Sequence, residues 1–329
     1  MKIIVDAMGG DNAPLEIIKG AYLAANEYNL DITLVGNEDV IRKLIAENSL
    51  TTSSKINIVT AVQTIEMCDD PTVVVKSKKN SSMAIGLKLL ADGEGDAFVS
   101  AGSTGALLTG ATLIVKRIKG IKRAALAPIL PTDYSRVIII DAGANTENTP
   151  LYLEQYGIMG SVYMNKILNV PSPKIGLLNN GTEASKGTPL QIAANELLSK
   201  NENLNFIGNI EGRDVMTGAV DVVVSDGFSG NILLKSIEGT AKMLSKSLKA
   251  MFKTNLKSML CAVLLKKQLK EFKDKMDYNK QGGAPLMGIS KPVIKAHGSA
   301  KADAFKIAIH QAASFSQSGA IDEIAKLYN

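Results

Sequence analysis

Two histidines, two cysteines and no tryptophan leave this chain of 329 residues short of the side chains that build metal centres, thiol chemistry and stacking platforms. His297 and His310 lie far along the sequence from Cys68, and no pairing with Cys261 has the spacing of a zinc site, so no metal is expected. Cys68 precedes Asp69 and Asp70, whose negative charge disfavours a thiolate, and it is read as a buried or idle cysteine. Also missing are an apolar run of the roughly 18 residues that span a membrane, a repeat of fixed period, and a Pro- or Ser-rich tether. Asp6 interrupts the apolar start MKIIVDAMGGD where a signal peptide needs an unbroken stretch, so the protein is expected to be cytoplasmic.

What is present belongs to a large globular protein. Apolar residues make up 46% and charged residues 21%, which excludes a disordered or collagen-like chain. A chain of this length buries roughly three quarters of its unfolded surface, enough for two contiguous lobes sharing a core. The net charge of +5 is modest but unevenly placed. Between Lys242 and Lys280 there are eleven lysines against the three acids Glu271, Asp274 and Asp277, a surplus of +8 that leaves −3 for the rest.

That segment has neither Gly nor Pro between Gly239 and Gly282, and Leu248, Met251, Phe252, Leu256, Met259, Leu260, Val263 and Leu264 recur at helical spacing. One straight helix would reach about 60 Å, too long for a compact domain, so a protruding hairpin turning near Lys266 and Lys267 is predicted. A lysine-rich helix with Leu, Met and Phe on its apolar side suits an anionic bilayer surface, and equally suits packing against a second copy.

Elsewhere β-rich runs alternate with helical patterns: IIVDA at 3–7, DITLV at 31–35, DAFVSA at 96–101, VIIIDA at 137–142, KIGLLN at 174–179 and VDVVVSD at 220–226. This grammar predicts a doubly wound, largely parallel α/β sheet. Five polar, glycine-bearing loops leave these strands, starting at Asp6, Ser100, Asp141, Asn179 and Ser225. In an open α/β sheet such exits share the edge where ligands bind. Glycine admits a ligand close to the backbone, while Ser103, Thr104, Asn180, Ser229 and Asn231 offer uncharged donors for phosphate oxygens or an oxyanion. Lys186 is placed to neutralise a phosphate, Asp226 to orient a donor or cap a helix, and His297, in a loop after an apolar strand, to donate to an oxyanion or leaving group. His310, among Ile307, Ile309 and Ala312, is read as a packing or surface residue. No G-x-x-x-x-G-K-[ST], dinucleotide fingerprint or G-x-S-x-G elbow is present, which counts against ATP, NAD and a covalent serine mechanism.

In order along the chain, VDAMGGDNAP at 5–14, SAGSTGA at 100–106, LLNNGTEASKG at 177–187, FIGNIEGRD at 206–214, VVSDGFSGNILLK at 223–235, GGAPLMG at 282–288 and AHGSA at 296–300 closely resemble the bacterial phosphate acyltransferases of phospholipid synthesis, the PlsX family. Two positions depart from the family pattern, Ser103 where Asn is more frequent and Ala300 where Ser is usual. The resemblance implies transfer of a long acyl chain from acyl carrier protein to inorganic phosphate, giving acyl phosphate for a membrane glycerol-3-phosphate acyltransferase. It implies a homodimer at the membrane periphery and a three-layer αβα fold similar to isocitrate and isopropylmalate dehydrogenases and to phosphotransacetylase. The lobes would comprise 1–105 with 289–329, and 106–288 including the helical segment 240–281. No cofactor is expected.

Phosphate is then itself the nucleophile, and the leaving thiol has a pKa of about 8.5 on the cysteine scale, so no protein nucleophile and no strong general acid are required. Lys186, Ser229 and Asn231 are the expected phosphate contacts, His297 or Asn180 assists the oxyanion, and Asp226 orients the site. Gly102, Ser103, Thr104, Gly181 and Gly230 complete the substrate loops. The rival activities are a phosphotransacetylase using acyl coenzyme A and a metal- and NAD-dependent dehydrogenase of the same fold. A nonenzymatic nucleic-acid binder is disfavoured, because the excess charge sits in one Leu- and Met-rich segment without Trp.

Overall fold

Ile3, Ile4 and Val5 are all fully buried, so strand β1 (Lys2–Asp6) is covered on both faces and its sequence runs apolar without alternation. The structure, a computed structural model, describes residues 1–52, 54–132, 134–276 and 282–328. From β1 the chain continues through α1 (Leu15–Tyr28), β2 (Asp31–Gly36), α2 (Glu38–Glu47), β3 (Ile56–Thr60), α3 (Ser82–Ala91), β4 (Ala97–Ser100) and α4 (Thr104–Gly110). A π turn then leads to β5 (Ala125–Leu126), β6 (Ile129–Pro131), β7 (Arg136–Ile140), α5 (Pro150–Leu168), β8 (Lys174–Asn179), α6 (Pro189–Lys200), β9 (Asn205–Glu211) and β10 (Val222–Val224). The remainder holds α7 (Gly227–Phe252), α8 (Leu256–Leu264), α9 (Lys266–Met276), β11 (Ala284–Met287), β12 (Val293–Lys295), α10 (Ala302–Gln317) and α11 (Ala320–Lys326).

The fold is α/β with two mixed sheets, ordered β3-β2-β1-β4-β12-β11-β5 and β6-β7-β10-β8-β9. In the first, β3, β2, β1, β4 and β12 are parallel, while β11 runs antiparallel to β12 and β5. In the second, β7, β10, β8 and β9 are parallel and β6 is an antiparallel edge. The β5–β11 pairing carries the first sheet to Leu126 and takes it up again at Ala284, past the positions 105 and 289 where the sequence suggests a division.

Helices cover both faces of each sheet. Ile17 of α1 and Phe305 of α10 pack on one side of the first, and Leu87 of α3 and Leu107 of α4 on the other. In the second, Tyr156 of α5 and Leu198 of α6 oppose Leu234 of α7, which meets Val137, Ile139 and Val223. One buried cluster runs through both sheets, joining Val5 and Phe305 to Ile140, Val222 and Tyr156. The extended run from β5 through Ala127 and Pro128 to β6 bonds to both: the Ala127 N–H donates to the Pro285 carbonyl at 3.1 Å and the Ile139 N–H to the Pro128 carbonyl at 3.0 Å.

The lysine-rich segment is divided differently from the predicted hairpin. α7 runs through Gly239 to Phe252, and a break at 253–255 follows, where the Asn255 side chain caps α8 by accepting the Ser258 N–H at 2.9 Å. A second break falls at Leu265, next to the predicted turn, and 277–281 lie outside the described residues. No side chain of α8 is buried. His310 lies on α10 with its ring 4.2 Å from that of Tyr28, and both Cys68 and Cys261 are exposed.

Candidate active site

The register of β12 on β4 pairs Lys295 with Ser100, and so sets the His297 loop beside the Gly102 loop at the carboxyl edge of the first sheet. At the end of neighbouring β1, the buried Asp6 carboxylate accepts the Ser100 hydroxyl at 2.6 Å and the Met8 N–H at 3.2 Å. Burial pushes the Asp6 pKa up against these donors. Ser100 Oγ in turn accepts the Gly102 N–H at 3.0 Å. A Cβ on Gly9 would stand 2.9 Å from the Gly102 Cα, so glycine permits the close approach of these two loops. The Asp11 N–H donates to the Gly298 carbonyl at 2.9 Å, tying the first loop to the last.

Lys295 is 8% exposed, and its ammonium donates to the Ala101 carbonyl at 3.3 Å and the Ala296 carbonyl at 2.5 Å. Burial holds its pKa down to about 8, with Asp11 and Asp6 acting in the opposite direction. His297 is half-buried, and its Nδ1 accepts the Ser299 backbone N–H at 3.2 Å with Ser299 Oγ 2.9 Å away. A backbone amide only donates, so the neutral ring carries its proton on Nε2. Burial lowers the His297 pKa from its ordinary value, which keeps the ring uncharged at neutral pH.

These groups open on a cavity of about 330 Å³ between the two sheets, whose polar lining is Asp11, Thr104, Lys295 and His297 on one side and Lys235 and Glu238 of α7 on the other. Lys235 and Glu238 are paired at 2.7 Å. Asn231 precedes Lys235 by one turn and shares its face of α7, with its amide beside Gly143. The start of α7 is clamped to the loop after β7. Asp226 caps the helix by accepting the Ser229 N–H at 2.9 Å, and the Gly227 N–H donates to the Asn145 carbonyl at 2.8 Å. A Cβ on Gly230 would lie 2.0 Å from the Asp141 carbonyl oxygen, so no larger residue fits there. Asp141 itself is fully buried and accepts from the Leu126 N–H at 3.0 Å, the Ala144 N–H at 3.0 Å, and Asn145 through its N–H at 2.7 Å and Nδ2 at 3.0 Å.

A family model described as fatty acid synthesis protein matches residues 1–323. The chain belongs to that family. Its members' likeness extends to curated relatives: the phosphate acyltransferase of Thermoanaerobacterium thermosaccharolyticum is 50% identical over 326 residues, covering 99% of this chain and 96% of that protein. The phosphate acyltransferase of Caldanaerobacter subterraneus subsp. tengcongensis is 49% identical over 313 residues, covering 95% and 92%. Among solved structures, a phosphotransacetylase from Streptococcus pyogenes superposes with a TM-score of 0.65 at 19% identity, covering 96% of this chain and 94% of that one. A putative 4-hydroxythreonine-4-phosphate dehydrogenase from Salmonella typhimurium gives 0.54 at 13% identity, covering 95% and 98%. At these identities the structural likeness establishes the fold alone.

In this member of the fatty acid synthesis protein family, Thr104 and His297 line the cavity, with the buried Gly102 and Ser103 directly before Thr104. Ser103 turns its hydroxyl to the Ala106 N–H at 3.5 Å as the cap of α4. Asp226, Ser229, Gly230 and Asn231 cluster at the start of α7. Asn180, Gly181 and Lys186 sit on the loop after β8, where Asn180 and Lys186 are exposed and the Lys186 carbonyl accepts Asn179 Nδ2 at 3.0 Å; none of the three lines the cavity. Sequence reasoning passed over Lys295, Asp11, Lys235 and Glu238 as site residues. Their signals were a lysine closing the otherwise apolar strand VIK, and charges recurring at helical spacing after Asn231.

Proposed function

We propose that the protein transfers a long-chain fatty acyl group from acyl-acyl carrier protein to inorganic phosphate, giving the acyl phosphate that a membrane glycerol-3-phosphate acyltransferase consumes in phospholipid synthesis. Acyl transfer to phosphate rests on one observation, the 50% identity to a phosphate acyltransferase over 99% of the chain. The cavity chemistry is compatible with it. A phosphate oxygen attacks the thioester carbonyl, the carbonyl oxygen takes up the negative charge, and collapse of the tetrahedral species breaks the C–S bond to release a thiolate. The protein's work is to orient the phosphate, exclude water and stabilise the oxyanion. We assign the oxyanion to the Nε2–H of His297, with Asn180 assisting, and the phosphate to Lys186, Ser229 and Asn231. Asp226 orients these last two by capping α7, and Gly102, Ser103, Thr104, Gly181 and Gly230 shape the substrate loops.

The carrier-linked donor is tested by mixing the purified protein with phosphate and either long-chain acyl carrier protein or acetyl coenzyme A. Acyl phosphate is expected from the first. Product from acetyl coenzyme A alone would establish a phosphotransacetylase reading instead.

A homodimer held at the surface of an anionic membrane, on the cytoplasmic side, belongs to the same proposal, as does a three-layer αβα fold of the isocitrate dehydrogenase type. Among the described residues no helix is long and apolar enough to cross a membrane. α8 instead leaves Leu256 84%, Val263 68% and Leu264 73% exposed beside lysines, the pattern of a helix lying in a bilayer surface. Charge reversal at Lys253 and Lys257 combined with Leu260→Glu is expected to release the protein from anionic liposomes in flotation. Undiminished binding would make the exposed face a contact between copies.

A further inference from the structure

An ammonium group carries three N–H donors, and in Lys295 two of them meet backbone carbonyls just past the ends of two neighbouring strands, β4 and β12. Ala101 directly precedes the Gly102–Thr104 loop and Ala296 directly precedes His297, so one buried side chain spans the two loops that bring Thr104 and His297 to the cavity. A lysine this buried ordinarily has a bonded carboxylate. The hydrogen-bond acceptors of Lys295 are carbonyls, and the charged groups around it are Asp6 at the end of β1, Asp11 on the loop that follows, Lys235 and Glu238 on α7, and His297 on its own loop. Its positive charge is thus held at the cavity wall without being cancelled by direct contact.

We propose that Lys295 is a positioning residue for phosphate: it clamps the Gly102 and His297 loops together and supplies the positive field in which inorganic phosphate binds. This rests on phosphate being the acyl acceptor. Because burial holds Lys295 at about 8, its charge is lost as pH rises through that value. Over the same interval phosphate gains negative charge, and His297, with its lowered pKa, stays neutral, so neither accounts for weaker binding. Asp6, pushed up by burial, is the competing source, since its ionisation would also repel an anion.

Calorimetric titration of the full chain with inorganic phosphate at pH 7, 8 and 9 separates these causes. Wild-type affinity is expected to fall about tenfold between pH 7 and 9, following the charged fraction of a lysine at about 8. Lys295→Met is expected to bind about tenfold more weakly at pH 7, with a flat profile, since the clamp and the charge go together. Lys295→Arg, which stays charged, is expected to bind near the wild-type level at pH 7 and to remain flat to pH 9. Wild-type affinity in Lys295→Met, or a decline with pH that survives in it, overturns the proposal. If Lys295→Met does not fold, Lys295→Arg decides, and a decline through pH 8 in that variant is equally fatal. Acyl phosphate assays on the same samples keep the two readings apart: this binding pattern without product from either thioester donor would remove the acyltransferase function and leave the role of Lys295 standing.

Discussion

His297→Ala is expected to lower the turnover number for acyl phosphate formation by about 100- to 1000-fold, with a small change in the phosphate requirement. The expectation follows from the tautomer. Nδ1 is occupied by the Ser299 N–H, so the ring proton sits on Nε2, and the lowered pKa keeps the ring a neutral donor. A donor that meets charge developing in the transition state contributes mainly to turnover, whereas one that binds the ground state contributes mainly to affinity. Steady-state kinetics with circular dichroism as a folding control measures the split. A turnover number within a few-fold of wild type would take His297 out of the reaction. The same group carries a stability signature: its folded pKa lies below its unfolded value, so the folded state resists protonation and stability is lost as pH falls below about 6.5. His297→Ala is expected to flatten that part of the urea-unfolding profile.

Asp141→Ala is expected to be the most damaging change to the fold, at roughly 3–5 kcal/mol, because it removes a buried carboxylate that serves several donors at once. Its carboxylate receives the N–H groups of Leu126, Ala144 and Asn145, together with the Asn145 side chain. Asp141 is fully buried and α7 closes over its loop through Gly227 and Gly230, while the donor residues are half-buried and Asn145 Nδ2 also keeps the Ala124 carbonyl at 2.7 Å. Asp141→Asn, which keeps one acceptor oxygen, is expected to fall between the two in urea midpoint. A midpoint for Asp141→Ala close to wild type would mean that the loop relaxes to satisfy its donors elsewhere. Because Leu126 lines the cavity and bonds to this carboxylate, the surviving folded fraction is expected to be poorly active as well.

The parallel core was legible in the sequence for a simple reason: strands buried on both faces, such as those at Ile3–Val5, Val137–Ile140 and Val222–Val224, write themselves as uninterrupted apolar runs. β5 and β6 were not legible. They are two and three residues long within the run AALAPILP, and they exist through pairing with strands far away in sequence. The same distinction divides the site. Thr104 and His297 stand in polar, glycine-bearing loops that any strand exit would advertise. Lys295 and Glu238 become cavity residues through the β4–β12 register and the seating of α7 on its sheet, both long-range outcomes without a local signature.

The run 125–131 carries a consequence of its own. Leu126, Pro128, Ile129 and Leu130 form a wall of the cavity, while hydrogen bonds from and to the same run hold β11 on one flank and β7 on the other. Pro128 has no N–H to give, so at that residue the tie to the second sheet is the single bond its carbonyl accepts from Ile139. The wall therefore belongs to both sheets at once: a substitution in this run changes the lining of the cavity and the edge pairing of each sheet together, so the cavity cannot be reshaped here without touching both.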